Sequence, residues 1–262
     1  MSEDTLTVEH DAGIARITMN RPAVHNAFDD ALIAELTGTL QRLERDASVR
    51  AVVLAAAGRS FSAGADLNWM RRMAGYDWSG NYRDSQGLGK LMHTLYRLDR
   101  PTIARVNGAA MGGGVGLVAC CDVAVAAQSA VFALSEVRLG LIPAVISPYV
   151  VSAIGEREAR RYFVTGERFD ARTARRIGLV HEVVPPEALD DAVDRVTTAM
   201  RANGPEAMRA AKALALDVSR GPVDTAMVSE TARRIADQRA SEEGKEGVAA
   251  FLEKRRASWV EQ

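Results

Sequence analysis

Two runs of small residues, Ser62-Ala63-Gly64-Ala65-Asp66 and Gly112-Gly113-Gly114, each stand between a strand-like apolar segment and a helix-like one. This repetition narrows the folds open to the chain more than any other feature. Strands that turn within a few residues into helices belong to an α/β architecture, in which helices cover a sheet. Small side chains at such a turn let main-chain N–H groups approach a ligand closely, and the N-terminal end of a helix favours negative charge. One turn of this kind is equally a tight connection; two can aim two donors at one developing charge. An oxyanion hole requires that convergence, and loss of one donor typically costs about 2.7–4 kcal/mol of transition-state stabilisation.

The remaining pattern agrees with alternating strands and helices. Leu6 to Val8 and Gly13 to Met19 alternate apolar and polar residues about Asp11-Ala12-Gly13, as a hairpin does. Leu32, Ile33, Leu36, Leu40 and Leu43 recur at helical spacing between Asp29 and Leu43, and Ala51 to Ala55 reads as a buried strand. Gly87 to Leu98 reads as a helix ending before Pro101, and Thr102 to Val106 as a strand leading into the glycine-rich loop Asn107 to Gly114. Val123 to Ala126 and Val131 to Leu134 are further short strands, and nearly everything after Pro185 is helical in pattern. The expected organisation is an α/β core over residues 1–200 and a helical region over 201–262, packed on the core or on a neighbouring subunit. Gly75 to Gly89, with Tyr76, Trp78 and Tyr82, reads as a mobile segment over a pocket.

A chain of 262 residues can bury a substantial core, and its formal net charge of -1 creates no global field towards nucleic acid, membrane or a strongly charged partner. Cys120 and Cys121 are adjacent, which disfavours a mutual disulfide, fits a reduced cytoplasmic setting and reads as core packing. The acidic opening Met1-Ser2-Glu3-Asp4 is unlike a secretory signal or an arginine-rich transit peptide, and no apolar run is long enough for a membrane span. His10, His25, His93 and His181 are scattered without metal-ligand spacing, and neither a G-x-S-x-G elbow nor a Walker loop is present. His25 and His93 can still approach a site in space.

Gly114-Val115-Gly116-Leu117-Val118-Ala119 fits the G-x-G-x-x-A form of a dinucleotide fingerprint. Its distance from the N-terminus and from its strand, and the lack of an acid ending the next strand, weigh against that reading. Glu136 lies in the mostly apolar stretch Leu134 to Pro143. A carboxyl among apolar neighbours tends to have a raised pKa, which suits proton transfer. By spacing alone it is more readily a surface glutamate or an ion-pair partner for Arg138.

Asn20-Arg21-Pro22 with Asn26-Ala27, Phe61 through Leu67, Gly112-Gly113-Gly114, Glu136 through Pro143 and Gly247 through Lys254 together resemble the ordered signatures of the crotonase (enoyl-CoA hydratase/isomerase) family. The resemblance covers essentially the whole chain. It implies a spiral of strand-strand-helix turns with a C-terminal helical region that builds trimers, often paired into hexamers. It also implies an acyl-coenzyme A substrate and no separate cofactor. By position, the N–H groups of Ala65 and Gly113 match the family's oxyanion hole, with Gly112 beside it, and the Ala63 carbonyl matches the adenine contact. Ala23 and Val24 fall on the coenzyme A path, Asp66 and Leu67 border the same turn, and Phe251 and Lys254 match residues reaching the ligand from a neighbouring subunit. Glu136 matches the carboxyl that exchanges the α-proton.

Gly116 stands where two-glutamate hydratases carry their other carboxyl, so the expectation is a space there in which a substrate carboxylate or another side chain positions water. Trp69-Met70, Leu134-Ser135-Glu136 and Ala144 through Val150 resemble bacterial methylglutaconyl-CoA and isohexenylglutaconyl-CoA hydratases of leucine and acyclic-terpene breakdown. Such substrates carry a carboxylate, for which Arg71, Arg72, Arg83 and Arg138 are candidates by charge. Three functions are compatible with these residues: a hydratase for a branched, carboxylated enoyl-CoA; a double-bond isomerase, for which one glutamate suffices; and an acyl-CoA-binding oligomer without chemistry.

Overall fold

In the computed structural model, which describes residues 4–219 and 221–260, the chain opens with β1 (Leu6–Asp11) and β2 (Ile14–Met19). Met1, Ser2 and Glu3 of the acidic opening lie outside the described residues. The two strands pair antiparallel, Leu6 opposite Met19, around a turn in which Ala12 (φ 43°) and Gly13 (φ 79°) are both left-handed. That turn matches the right-handed twist of a hairpin. Helix α1 (Asp30–Arg45) comes next, its first turn capped by the Asp29 side chain, which accepts from the Leu32 N–H.

A strand-strand-helix unit then repeats. The first is β3 (Ala51–Ala56), β4 (Ser60–Ser62) and α2 (Leu67–Met73), extended by α3 (Trp78–Arg97). The second is β5 (Thr102–Val106), β6 (Ala109–Met111) and α4 (Gly113–Cys120). The third is β7 (Val123–Ala127), β8 (Val131–Ala133), a 3-10 turn at Glu136–Leu139, and α5 (Ser147–Thr165). After β9 (Arg168–Asp170), α6 (Ala171–Arg176) and β10 (Glu182–Val184), the strands form a six-stranded sheet, β1-β2-β3-β5-β7-β10, and a four-stranded sheet, β4-β6-β8-β9. Each unit thus gives its first strand to the larger sheet and its second to the smaller, which is the spiral of strand-strand-helix turns that the resemblance implies.

The larger sheet explains the unbroken apolar runs. Every residue of β3 is buried, because helices cover both faces of a parallel sheet. Val52 and Leu54 face the main core, whereas Val53, Ile103 and Val125 face a second cluster closed by Leu189, Ala192 and Val193 of α7 (Leu189–Ala202). The chain ends in α8 (Pro205–Val218), α9 (Thr225–Ala240) and α10 (Glu242–Leu252). Lys212 anchors α8, its Nζ lying 2.7 Å from Asp122 Oδ2 and donating to the Arg100 carbonyl at 3.0 Å. No described helix is long and apolar enough to cross a membrane.

Four strands are absent from the sequence pattern, and one local expectation needs correction. The strands β4, β6, β9 and β10 have three residues each, too few for an alternating pattern to show. The segment Gly75 to Gly89, read as mobile, is mostly the first half of the 20-residue α3, started by the Asp77 side chain accepting from the Gly80 N–H. Burial of Leu91, Met92 and Leu95 against the core outweighs the poor helix propensity of Gly80, Gly87 and Gly89.

The turn between β2 and α1 is tied into the sheets by one polar side chain. Asn26 is fully buried; its Nδ2 donates to the carbonyls of Ala57 and Ser60, both at 2.9 Å, and its Oδ1 accepts from the Arg21 N–H at 2.8 Å. The turn is thereby fixed to the connection between β3 and β4. Asn26→Ala strands three main-chain groups, each worth about 1–3 kcal/mol when buried unpaired. Urea unfolding is expected to show a stability loss of at least about 2 kcal/mol; a smaller loss would mean that water re-pairs these groups.

Candidate active site

Strands β4, β6 and β8 are neighbours and parallel. Their C-terminal ends therefore share one edge, with adjacent strands about 4.8 Å apart. Ala65 follows the end of β4, Gly113 the end of β6, and Glu136 the end of β8. Topology alone brings the three together, at the strand ends where α/β proteins bind ligands.

The two turns leave N–H groups unused. Phe28 and Ala65 form an isolated parallel bridge in which the Phe28 N–H donates to Gly64 O and the Asp66 N–H to Phe28 O, each at 2.7 Å. Those bonds use the groups on either side of Ala65, and no described group accepts from the Ala65 N–H itself. Gly113 is the first residue of α4, so its N–H has no acceptor within the helix. The turns are pressed together: a Cβ at Gly64 would lie 3.1 Å from Met111 O, one at Gly114 3.0 Å from Ser62 Cβ, and one at Gly113 3.0 Å from the Phe28 ring. Sequence reading missed Phe28, whose one signal is an apolar residue directly before the helix cap Asp29.

Glu136 faces these turns. Its Oε1 lies 3.0 Å from where a Cβ on Gly112 would stand, and its Oε2 is buried without a hydrogen-bond partner. Burial pushes the carboxyl above its ordinary value of 4.5. Arg138 is not its partner, being exposed with its Nε 3.4 Å from the Cβ position of Gly166. A carboxyl desolvated in this way is suited to donating or accepting a proton.

The enoyl-CoA hydratase/isomerase family model matches residues 9–262. The chain belongs to that family. It is similar to an enoyl-CoA hydratase of Shewanella pealeana of known structure, 43% identical, with a TM-score of 0.95 and coverage of 98% of this chain and 96% of that one. A 2,3-dehydroadipyl-CoA hydratase of Escherichia coli is 34% identical, with 97% of each chain covered. A crotonyl-CoA hydratase of Syntrophomonas wolfei is 32% identical, with 99% of each chain covered. Fold and family thus agree with the spiral described above.

The other residues expected from the family fall into distinct places. Ala23 and Val24 lie on the exposed 3-10 turn Pro22–Val24, and Ala63 is exposed beside Ala65. Leu67 is exposed at the start of α2. Asp66 is a helix cap: its carboxylate accepts from the Asn68 and Trp69 N–H groups and meets Arg21, and its own N–H goes to Phe28 O, which occupies its polar groups within the fold. Phe251 and Lys254 lie at the exposed end of α10, which packs chiefly on α8 and α9, away from Glu136. The space expected beside Gly116 is filled, since a Cβ there would stand 2.3 Å from Ile146 Cγ2. Among the candidate arginines, Arg71 donates to Asn68, Arg72 pairs with Asp30, and Arg83 lines a groove between α1 and α3. None of these contacts is with α4 or Glu136.

The Gly112–Glu136 contact and the buried carboxyl each lead to a test. Gly112 has φ 50° and ψ −116°, so Gly112→Ala adds backbone strain on the order of 1–3 kcal/mol and displaces the carboxyl. Thermal unfolding and acyl-CoA turnover are expected to show a lowered Tm and a loss on the order of 10²-fold in rate; an unchanged rate would detach Glu136 from the chemistry. The raised carboxyl also affects stability. Between 4.5 and its raised value the folded protein binds more protons than the unfolded chain, so this group removes stability as pH rises through that window. Glu136→Gln is therefore expected to unfold at higher denaturant than the parent at pH 8, with the difference vanishing towards pH 4 in urea titrations; a constant difference would assign the effect to packing.

Proposed function

We propose that the protein hydrates a branched enoyl-CoA that carries its own carboxylate, such as 3-methylglutaconyl-CoA. The observation carrying this reading is the meeting of two free N–H donors and one unpaired, desolvated carboxyl at the ends of three adjacent parallel strands. As the oxygen of water bonds to the β-carbon, electrons shift onto the thioester oxygen, where the Ala65 and Gly113 N–H dipoles hold the negative charge. Glu136, whose protonated form burial favours, gives its proton to the α-carbon as the thioester carbonyl re-forms. The proton lost by water passes to the substrate carboxylate and on to solvent, and solvent reprotonates Glu136.

The name of the Escherichia coli relative denotes an acyl chain with a second carboxyl group, which supports a carboxylated substrate here. Ala23, Val24 and Ala63, exposed along one rim, suit the coenzyme A moiety. Helices α8 and α9 bury no residue within the chain, and Ile235, Phe251 and Leu252 are exposed apolar residues, which supports a homotrimer or hexamer with Phe251 and Lys254 serving a neighbour. A second reading, double-bond isomerisation by Glu136 alone, is favoured by the apolar filling beside Gly116.

Turnover of 3-methylglutaconyl-CoA, crotonyl-CoA and a 3-enoyl-CoA in ¹⁸O-water, with mass detection, separates the two. Label is expected in the product of the branched diacid thioester, with Glu136→Gln lowering that rate by about 10²–10⁴-fold. A shifted double bond without label would establish the isomerase, and turnover unaffected by Glu136→Gln would refute both.

A further inference from the structure

Gly112 and Gly116 stand one turn apart on one face of α4, joined by the Gly116 N–H donating to Gly112 O at 3.2 Å. Over the first glycine lies the Glu136 carboxylate. Over the second lies Ile146, whose Cγ2 and Cβ would be 2.3 and 2.9 Å from a Cβ at that position, with Met92 Cε at 3.2 Å. Ile146 and Met92 are both buried in the main core, Ile146 at 2% exposure. One face of α4 is thus covered by an acid and, about 5.4 Å along the axis, by a branched apolar side chain.

Ile146 is held there firmly. It precedes α5, and its carbonyl accepts from the N–H groups of Tyr149 and Val150 at 3.2 and 3.1 Å. A β-branched side chain on a fixed backbone has few rotamers with which to vacate the space. Any side chain larger than hydrogen at position 116 therefore collides with a neighbour that cannot swing aside.

We propose that Ile146 is a specificity-determining residue which, as a steric pair with Gly116, keeps a second carboxylate out of the reaction chamber and so restricts hydration to acyl chains that bring their own. The inference rests on the hydratase reading and on Glu136 as the proton donor. Hydration moves two protons: Glu136 supplies one to the α-carbon, and the attacking water must lose one to a base. The wall at Gly116 and Ile146 offers no base, so the substrate carboxylate accepts that proton. Crotonyl-CoA has none and is a poor substrate. Neither residue makes the choice alone, since a longer side chain at 116 does not fit beside Ile146 and a shorter one at 146 leaves only a void.

The test is kcat/KM for crotonyl-CoA hydration in the parent, Gly116→Glu, Ile146→Gly and the double variant, with Tm for each; glycine is needed at 146 because the Ile146 Cβ itself stands 2.9 Å from a Cβ at 116. Gly116→Glu alone is expected to lower Tm without gain, Ile146→Gly alone to give no gain, and Gly116→Glu/Ile146→Gly to hydrate crotonyl-CoA on the order of 10²-fold faster than Ile146→Gly. A purely structural role for Ile146 does not produce that gain. The proposal is overturned if a folded double variant gains nothing, or if Gly116→Glu alone gains as much. Should the double variant not fold, sodium formate offered to Ile146→Gly supplies the carboxylate instead. Saturable acceleration of crotonyl-CoA hydration, absent in the parent, is expected there, and no acceleration overturns the proposal. Adding Glu136→Gln to the double variant checks the underlying reading separately: retained turnover would refute the role of Glu136 while leaving the comparison of positions 116 and 146 intact.

Discussion

The main chain of Phe28 is the fixed point of the site. Its N–H and carbonyl clasp the Ala65 turn from both sides, and its ring lies against Gly113, so one buried residue sets the spacing and orientation of both donor turns. Each of the two hydrogen bonds contributes only about 0.5–1.5 kcal/mol net, which would be a weak hold by itself. Arg21 reinforces it. Its guanidinium reaches Asp29 at 2.9 Å, Asp66 at 3.4 Å and the Ala27 carbonyl at 2.7 Å, linking the N-terminal caps of α1 and α2 to the segment that contains Phe28. The helix starts and the donor turns therefore move as one unit.

Glycine serves two separate ends in this unit. Gly64 and Gly112 have positive φ, and a side chain at either is strained whatever the space. Gly113, Gly114 and Gly116 have ordinary helical backbone but no room, because Phe28, Ser62 and Ile146 press against them. Free N–H groups, a left-handed turn and an unpaired carboxyl all lower stability. The wide sheet buried on both faces offsets them, which is how a protein keeps a preorganised site near the threshold of marginal stability.

How much of this could be read from the chain depends on the range of the interaction. Strands β3, β5 and β7 were legible because two-sided burial writes an apolar run, β1 and β2 because their residues alternate, and the donor turns because a strand, small residues and a helix adjoin one another in sequence. Cys120 and Cys121 were legible as core; burial pushes both thiols up, Cys121 to about 12. Strands β4, β6, β9 and β10 were not legible, since three-residue strands carry no period; β8, equally short, showed only as an apolar run. Ile146 and Phe28 were missed for another reason: their effect lies in contacts with glycines far away in sequence, and a glycine does not announce what fills the space beside it. Family resemblance pointed to Gly116 as a gap, whereas packing shows a wall.

The proton chemistry depends on keeping the donors and the acid apart. An N–H bonded to the Glu136 carboxylate would favour its charged form and lower its pKa. The N–H of Gly112, the glycine beside the carboxyl, is instead taken by the Ala133 carbonyl at 2.9 Å. Desolvation is then the largest influence on Glu136, opposed only by its own backbone. No described group accepts from the Ala65 or Gly113 N–H, so in the proposed hydration negative charge is welcomed at one end of the chamber and discouraged at the other. In the proposed hydration, proton transfer from Glu136 to an enolate couples the two ends: the charge moves from where the donors hold it to a carboxylate that the protein leaves poorly solvated. In that reading the second state is unfavourable until solvent returns the proton to Glu136.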